Sequence, residues 1–481
     1  MSGPAAEAPA AIETPVAIIG GGVSGAAVAW HLLTQRPDLD RVVVIEPRAG
    51  LGRGLAYSAA DPSHRINVPS TRMSLIPDQP EHFNDWLEAS GRLDRDASAR
   101  TPDGRSFPAR SAFGDYVGET LAALGPRLVH VAAAADDVVT TDDGYRIACS
   151  DGREVHAGTV VLAVAHVAPS PPGILGRALA GHPRFVPNPW DTPALAAIRP
   201  SDRVLIVGTG LTMADIVASL DRLGHRGGIV AVSRRGLRSR GHATAQHDPY
   251  GDFATAPARS VRELVRRVRT TVAAAEAEGK SWHCVFDQVR LQGSAIWHAL
   301  PLTERARLLR HLRPFWDVHR FRIAPQVEDG IDRRLAAGTL ELRTASLQGV
   351  ERDGDAIRVT LRGRRSGECA TEAFDAVVVA TGPAHGRVFA DNPVLAALEA
   401  RGLARPDPLR LGIDTADDGH AVGRDGRPVP GLYVAGPLAR GTVGELMGLP
   451  DVTNYAVRIA AAVAAELDAP DSAAAPRYAS A

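Results

Sequence analysis

Residues 16–46, VAIIGGGVSGAAVAWHLLTQRPDLDRVVVIE, constrain this chain more than any other stretch. An apolar run of four residues, Val16 to Ile19, reads as a buried strand and leads directly into glycines. Gly20, Gly22 and Gly25 complete G-x-G-x-x-G, and an apolar helical stretch follows from Ala26 to Leu33. A second strand, Arg41 to Ile45, ends in Glu46, 21 residues after Gly25. Each glycine answers a separate steric need. The first permits the tight strand-to-helix turn, the second lets a pyrophosphate approach the backbone, and the third lets the helix pack close to the sheet. The helix N-terminus then offers unpaired N–H groups and partial positive charge to the phosphates. Glu46 at the strand end can accept hydrogen bonds from a pair of ribose hydroxyls. Strand, glycines, helix, second strand and terminal acid agree on a dinucleotide site.

The pattern returns near residue 203. Val204 to Val207 is an apolar strand, Gly208 and Gly210 follow, and a helical run containing Thr212 and Met213 extends to Leu223. The next strand, residues 227–232, ends in Ser233-Arg234-Arg235. Here no acid stands at the strand end and two arginines take its place, which suits a 2′-phosphate and favours NADPH over NADH. Met213 stands where the third Gly or Ala is usual, so the helix packs differently on its strand, and a structural duplicate without ligand stays open. Two such units in 481 residues predict at least two domains.

Between the units, residues 47–74 are rich in glycine, proline and small polar residues. A loop of that length usually lines something, and Tyr57, Asn67 and Arg72 are its candidate contacts. Residues 169–200 read as a proline-containing connector. Residues 240–336 interrupt the second unit with helical spacing and aromatic-histidine pairs, including Trp282-His283, Trp297-His298 and Trp316 to Arg320. A helical insertion can cover the reactive end of the cofactors, which makes His319 and Arg320 candidates for touching substrate or NADPH. FDAVVVATG, ending at Gly382, reads as a further buried strand, and GLYVAG ends at Gly436 before a helix of about residues 452–467.

Composition excludes several classes. The net charge is −1, so no global field favours nucleic acid or an anionic membrane surface. The three cysteines, Cys149, Cys284 and Cys369, lie far apart and supply neither a redox C-x-x-C pair nor zinc spacing. His242 and His247 are five apart, a poor spacing for a shared metal, so no metal site is expected. No G-x-S-x-G elbow supports hydrolase chemistry. The Ala/Pro-rich residues 1–14 read as a disordered tail without a secretory h-region, and no apolar run suffices to span a bilayer, so a cytoplasmic protein is expected.

With these motifs in place, the chain resembles the flavoproteins with two dinucleotide-binding domains, which include flavin-dependent N-hydroxylases and Baeyer–Villiger-type monooxygenases. More closely, it resembles a bacterial family of FAD/NAD(P)-binding proteins of unknown substrate. The segments that carry the likeness are GGGVSGAAVAWHLL, GLGRGLAYSAADPSHRINVPSTRMS, VLIVGTGLTMADIVASL, VSRRGLRSRGH, WDVHRFRIAP and GPLARGTVGELMGLPDV. The resemblance implies FAD on Gly20, Gly22, Gly25 and Glu46, with Arg53, Asn67, Met73 and the stretch from Gly436 to Pro450 near the flavin. It implies NADPH on Gly208, Gly210, Thr212, Arg234 and Arg235. Pro437 departs from the family habit of an acid after the glycine.

The expected fold class is α/β, with two Rossmann-like domains, the second inserted in the first and carrying a helical insertion of about 240–336. The FAD domain is expected over 15–198 and 373–481, and the NADPH domain over 199–372. The expected activity is that of an NADPH-dependent monooxygenase, in which reduced flavin captures molecular oxygen at C4a and passes one atom to a small nucleophile such as an amine. Asn67, His319 and Arg320 are its candidate catalytic residues. A flavin oxidase reduced directly by its substrate, and an FAD-holding redox-responsive binding module, are the alternatives.

Overall fold

The computed structural model describes residues 11–164, 169–382 and 385–468. Two sheets carry it. The first has eight strands, in the order His420–Val422, Pro428–Val434, Glu154–Leu162, Ile12–Ile19, Val42–Ile45 and Leu128–Val131. The hairpin Ala135–Thr141 with Gly144–Cys149 pairs onto Glu154–Leu162. The strand Ile12–Ile19 is parallel to both its neighbours, with Val16 opposite Val42 on one side and Thr159 on the other. Val16, Ala17 and Ile18 are fully buried, as near-continuous apolar strands covered on both faces must be. Helix Val23–Gln35 packs against the C-terminal helix Asp451–Leu467 on one face of this sheet.

The second sheet has seven strands, in the order Cys369–Phe374, Ala356–Gly363, Leu340–Asp353, Ile229–Ser233, Val204–Val207, Ala376–Val379 and Phe185–Val186. Its first three strands form an antiparallel set, and the others run parallel. The α/β class and the two dinucleotide-type units therefore stand as read from the motifs.

Three boundaries differ from expectation. The first strand starts at Ile12 and pairs Ile12–Thr14 with Val155–Ala157, so residues 12–14 are sheet rather than tail. Residues 1–10 lie outside the described residues. The apolar run before Gly382, expected in the FAD domain, is Ala376–Val379, which pairs with Val204–Val207 and Phe185–Val186 in the second sheet. The supposed connector thus supplies an edge strand to the second unit, which gains both segments. A four-residue apolar strand has the same chemistry in either sheet, and only its partners assign it. Finally, helix Pro325–Ala336 packs on helix Leu211–Arg222 and leads into Leu340–Asp353, so it is a crossover helix of the second unit. The insertion proper is the five helices from Val261–Ala277 to Arg313–Arg320 and the irregular segment before them.

Candidate functional site

Both glycine turns sit at the C-terminal ends of strands flanked by parallel neighbours, the position at which open α/β sheets bind ligands. In the first turn Gly20 has φ +105°, and a Cβ there would lie 2.4 Å from the Ala163 carbonyl oxygen. A Cβ on Gly25 would lie 2.0 Å from the Gly20 oxygen, so the helix is packed as closely as a glycine allows. Gly22 is the N-cap of Val23–Gln35, with no side-chain cap and no acid in the first turn. In the second turn Gly208 has φ +129° and backs onto the Ala380 oxygen. Gly210 caps Leu211–Arg222, again with no side-chain cap, no first-turn acid, and open space where its Cβ would be. Elsewhere Ser260 and Asn392 cap their helices through side-chain oxygens. The two turns thus leave N–H groups bare where a pyrophosphate can take them, and both cradles fit a dinucleotide.

Glu46 is 4% exposed; its carboxylate accepts from the Gly21 N–H at 2.9 Å and from Arg48, through the backbone N–H at 3.1 Å and Nη1 at 2.9 Å. The acid is thereby aimed at the turn. At the equivalent strand end Ser233 shares a hydrogen bond with Thr209 at 2.8 Å and accepts from the Gly236 N–H at 2.9 Å. Arg234 and Arg235 are exposed, and among the described residues neither pairs with a carboxylate. Thr212 sits half-buried in the first turn of its helix. Gly382 follows the Ala376–Val379 strand and so belongs beside the second turn, not the first. Gly436 closes on the first turn, where a Cβ would lie 2.3 Å from Ser24 Oγ.

The units are joined by a polar network. Asp61 accepts from Ser63, from Ser219 Oγ at 2.7 Å and from Arg222 at 2.8 and 3.0 Å. His64 Nε2 donates to Ser219 Oγ at 2.9 Å. Arg110 pairs with both oxygens of Asp215 at 2.8 and 2.9 Å. The glycine-rich loop of the first unit is therefore clamped to the nucleotide helix of the second.

Beside this clamp the loop and the insertion enclose a cavity whose walls include Asn67, Arg72, His242, His283, Arg290 and Arg320. Asn67 accepts from Arg110 through its side chain at 3.4 Å and from His242 Nε2 through its backbone oxygen at 2.9 Å. Burial lowers the His242 imidazole to about 3, and His283 to about 4, so both rings are neutral near pH 7. Arg320, 9% exposed, donates to Glu445 at 3.0 Å and Asp451 at 3.3 Å; Arg290 reaches the same Asp451 oxygen at 2.7 Å. Trp297 Nε1 donates to the Gly441 carbonyl at 2.8 Å. The insertion is thus held to the C-terminal segment that ends in the Leu449–Pro450 cis peptide and the helix Asp451–Leu467. Asn67 and Arg320 both line this cavity.

Three other expectations are not met in detail. His319 does not line the cavity: its Nδ1 donates to the Phe315 carbonyl at 2.7 Å, and its ring stacks on Phe286 and meets Trp282 edge-on. Its ring is taken up by these two aromatic neighbours instead. Arg53 turns to Asp115, and Met73, 3% exposed, is part of the hydrophobic core, so its side chain supports the loop instead of meeting a ligand. The sequence reading missed His242, His283 and Arg290 as cavity residues. His242 carries a signal only as half of the His242/His247 pair, and His283 only as half of the Trp282-His283 pair; Arg290 carries none. Among the described residues no cluster of three metal-ligating side chains occurs.

Residues 17–167 match the family model for FAD-NAD(P)-binding. The first unit is an FAD/NAD(P)-binding domain. Comparison with curated sequences returns no match. Among solved structures, the ornithine N-hydroxylase of Kutzneria sp. 744, solved with reduced FAD, NADP+ and L-ornithine, superposes with a TM-score of 0.65 at 18% identity, covering 95% of this chain and 100% of that one. The ornithine hydroxylase of Pseudomonas aeruginosa gives 0.63 at 16% identity, with coverage of 95% and 100%. The L-lysine 6-monooxygenase of Pseudomonas syringae gives 0.63 at 18%, with coverage of 94% and 99%. At such identities the likeness is one of fold, and it spans both units and the insertion. The chain has the flavoprotein fold with two dinucleotide-binding domains. Among the described residues no helix is long and apolar enough to cross a membrane.

Proposed function

We propose that the protein is an FAD-dependent, NADPH-using monooxygenase that oxygenates a small amine. The observation that carries this reading is a pair of glycine-capped helix ends without side-chain caps, one in each of two clamped units, together with a cavity between the first unit's loop and the insertion. The neighbours named as acting on ornithine and lysine, and a cadaverine monooxygenase of Erwinia amylovora with the same fold, support the choice of an amine. Bound FAD supplies the redox chemistry, accepting hydride from NADPH and activating oxygen.

The chain's own residues bind and orient. The Gly22 and Gly210 helix ends take the pyrophosphates, Glu46 takes the flavin adenosine's ribose, and Arg234 with Arg235 takes the 2′-phosphate. In the cavity Asn67 presents a side-chain amide, and Arg72, with no carboxylate partner among the described residues, presents a cation at its rim. His242 donates from Nε2 to Asn67, which leaves Nδ1 as an acceptor. A neutral imidazole can accept a hydrogen bond from an amine N–H and so orient the substrate nitrogen. Arg320 and Arg290 act at one remove, fixing the insertion on Asp451 so that the cavity excludes bulk water.

The deciding experiment is the absorbance spectrum of purified protein before and after anaerobic NADPH. A flavin spectrum that bleaches with NADPH, followed by NADPH oxidation coupled to oxygenation of an amine, is the expected result. Flavin that stays oxidised under NADPH and bleaches with an amine alone would replace this reading with an oxidase or dehydrogenase. Flavin unresponsive to both would leave a binding module.

A further inference from the structure

Among the described residues large apolar side chains are rarely exposed, and one that is stands beside the second nucleotide unit. Phe315 is 42% exposed on helix Arg313–Arg320 of the insertion. Its ring lies 5.1 Å from the guanidinium carbon of Arg235, at the end of the strand Ile229–Ser233. Both partners are held firmly. Gly236, with φ +61°, folds against Thr344 and donates to Ser233, which fixes the turn that carries Arg235. Arg240 N–H donates to the Val318 carbonyl at 2.8 Å, and Arg320 anchors the same helix to Glu445 and Asp451.

A guanidinium is planar, so its edges and its faces can serve different partners at once. With its carbon over the Phe315 ring, the Arg235 guanidinium keeps N–H groups for a phosphate and a side turned away from Phe315 for a flat aromatic ring. In a dinucleotide the adenine lies next to the 2′ position of its own ribose. We infer that Phe315 and Arg235 form the adenine subsite of the second unit: Phe315 backs the guanidinium, the adenine stacks on its other face, and the 2′-phosphate takes its edge. This rests on the reading of the second unit as an NADPH site, and it makes an insertion residue a determinant of cofactor affinity. It also gives a reason for an aromatic side chain left in solvent.

Calorimetric binding of 2′,5′-ADP to the purified flavoprotein tests the assignment, since this probe carries the adenine and the 2′-phosphate without the nicotinamide. Phe315→Ala is expected to weaken binding about fivefold to tenfold, within the range of exposed cation–π and stacking contacts. Phe315→Trp is expected to keep or improve it, and Phe315→Leu, a control for helix packing, to behave as the alanine variant does. In an Arg235→Ala background Phe315→Ala should cost almost nothing further, because the ring then has no guanidinium to back. Unchanged affinity in Phe315→Ala together with a loss in Arg235→Ala would overturn the inference and leave the NADPH reading intact. Failure of the unaltered protein to bind 2′,5′-ADP would instead remove the NADPH reading itself.

Discussion

The two glycine turns share a backbone and differ in what stands at three positions. Where the first has Gly25, pressed against the Gly20 oxygen, the second has Met213, 1% exposed and part of the core. Where the first ends in buried Glu46, the second ends in Ser233 followed by two exposed arginines. Where the first is roofed by its own loop, through a Gly52 N–H donated to the Gly21 carbonyl at 2.7 Å, the second is faced by Phe315 from the insertion. One fold therefore makes two unlike turns: a buried acid and a glycine-tight helix in one, exposed cations and a side-chain-filled helix contact in the other.

Substitutions that exchange these features should break the comparison unequally. Gly25→Val should have the largest effect, because its side chain meets backbone at 2.0 Å; expression without flavin absorbance and a collapse of the thermal transition are expected. Met213→Ala should cost about 2–5 kcal/mol of stability in urea titrations by opening a core cavity, while flavin remains bound to the native protein. Opposite changes at the third position of the motif thus overpack one unit and hollow the other.

Asp61 tests the clamp between the units. Burial pushes its carboxyl up, but hydrogen bonds from Arg222, Ser63 and Ser219 outweigh this and hold it well below the usual carboxylate range. Its contribution is therefore complete above the unfolded value of about 4 and is lost as pH falls toward the folded value. Asp61→Asn should lower stability by about 1–3 kcal/mol at pH 7 and flatten the fall in Tm below pH 4; an unaltered acid limb would place the clamp elsewhere.

Arg234→Ala with Arg235→Ala should raise KM for NADPH about 10- to 100-fold, or roughly 1.4–2.7 kcal/mol, and leave NADH nearly unchanged. Equal losses for both would remove the phosphate assignment. The smallest effect is expected from Glu46→Gln, which keeps the shape and one acceptor; flavin should bind about three- to tenfold more weakly, read from its release on dilution.

Much of this was legible along the chain. Strand, turn, helix and terminal residue follow one another within about 30 residues, so local spacing revealed both units, Glu46 and the Arg234-Arg235 pair. The cavity was not legible in that way. His242, His283, Arg290 and Arg320 come from separate parts of the insertion, and a histidine looks the same in sequence whether it packs on Phe286, as His319 does, or lines a wall, as His242 does. The sheet that receives Ala376–Val379 was hidden for a similar reason, since any apolar strand of four satisfies either core.

The amino-acid order alone determined that two dinucleotide-type turns form and that an acid ends one unit's strand and arginines the other's, because those properties reside in contiguous residues and backbone sterics. Tertiary structure decided where the domains divide, which loop side chains meet the insertion, and which of its aromatic and cationic groups face the second unit. Those outcomes depend on long-range pairing and burial, which bring together residues that no local pattern connects.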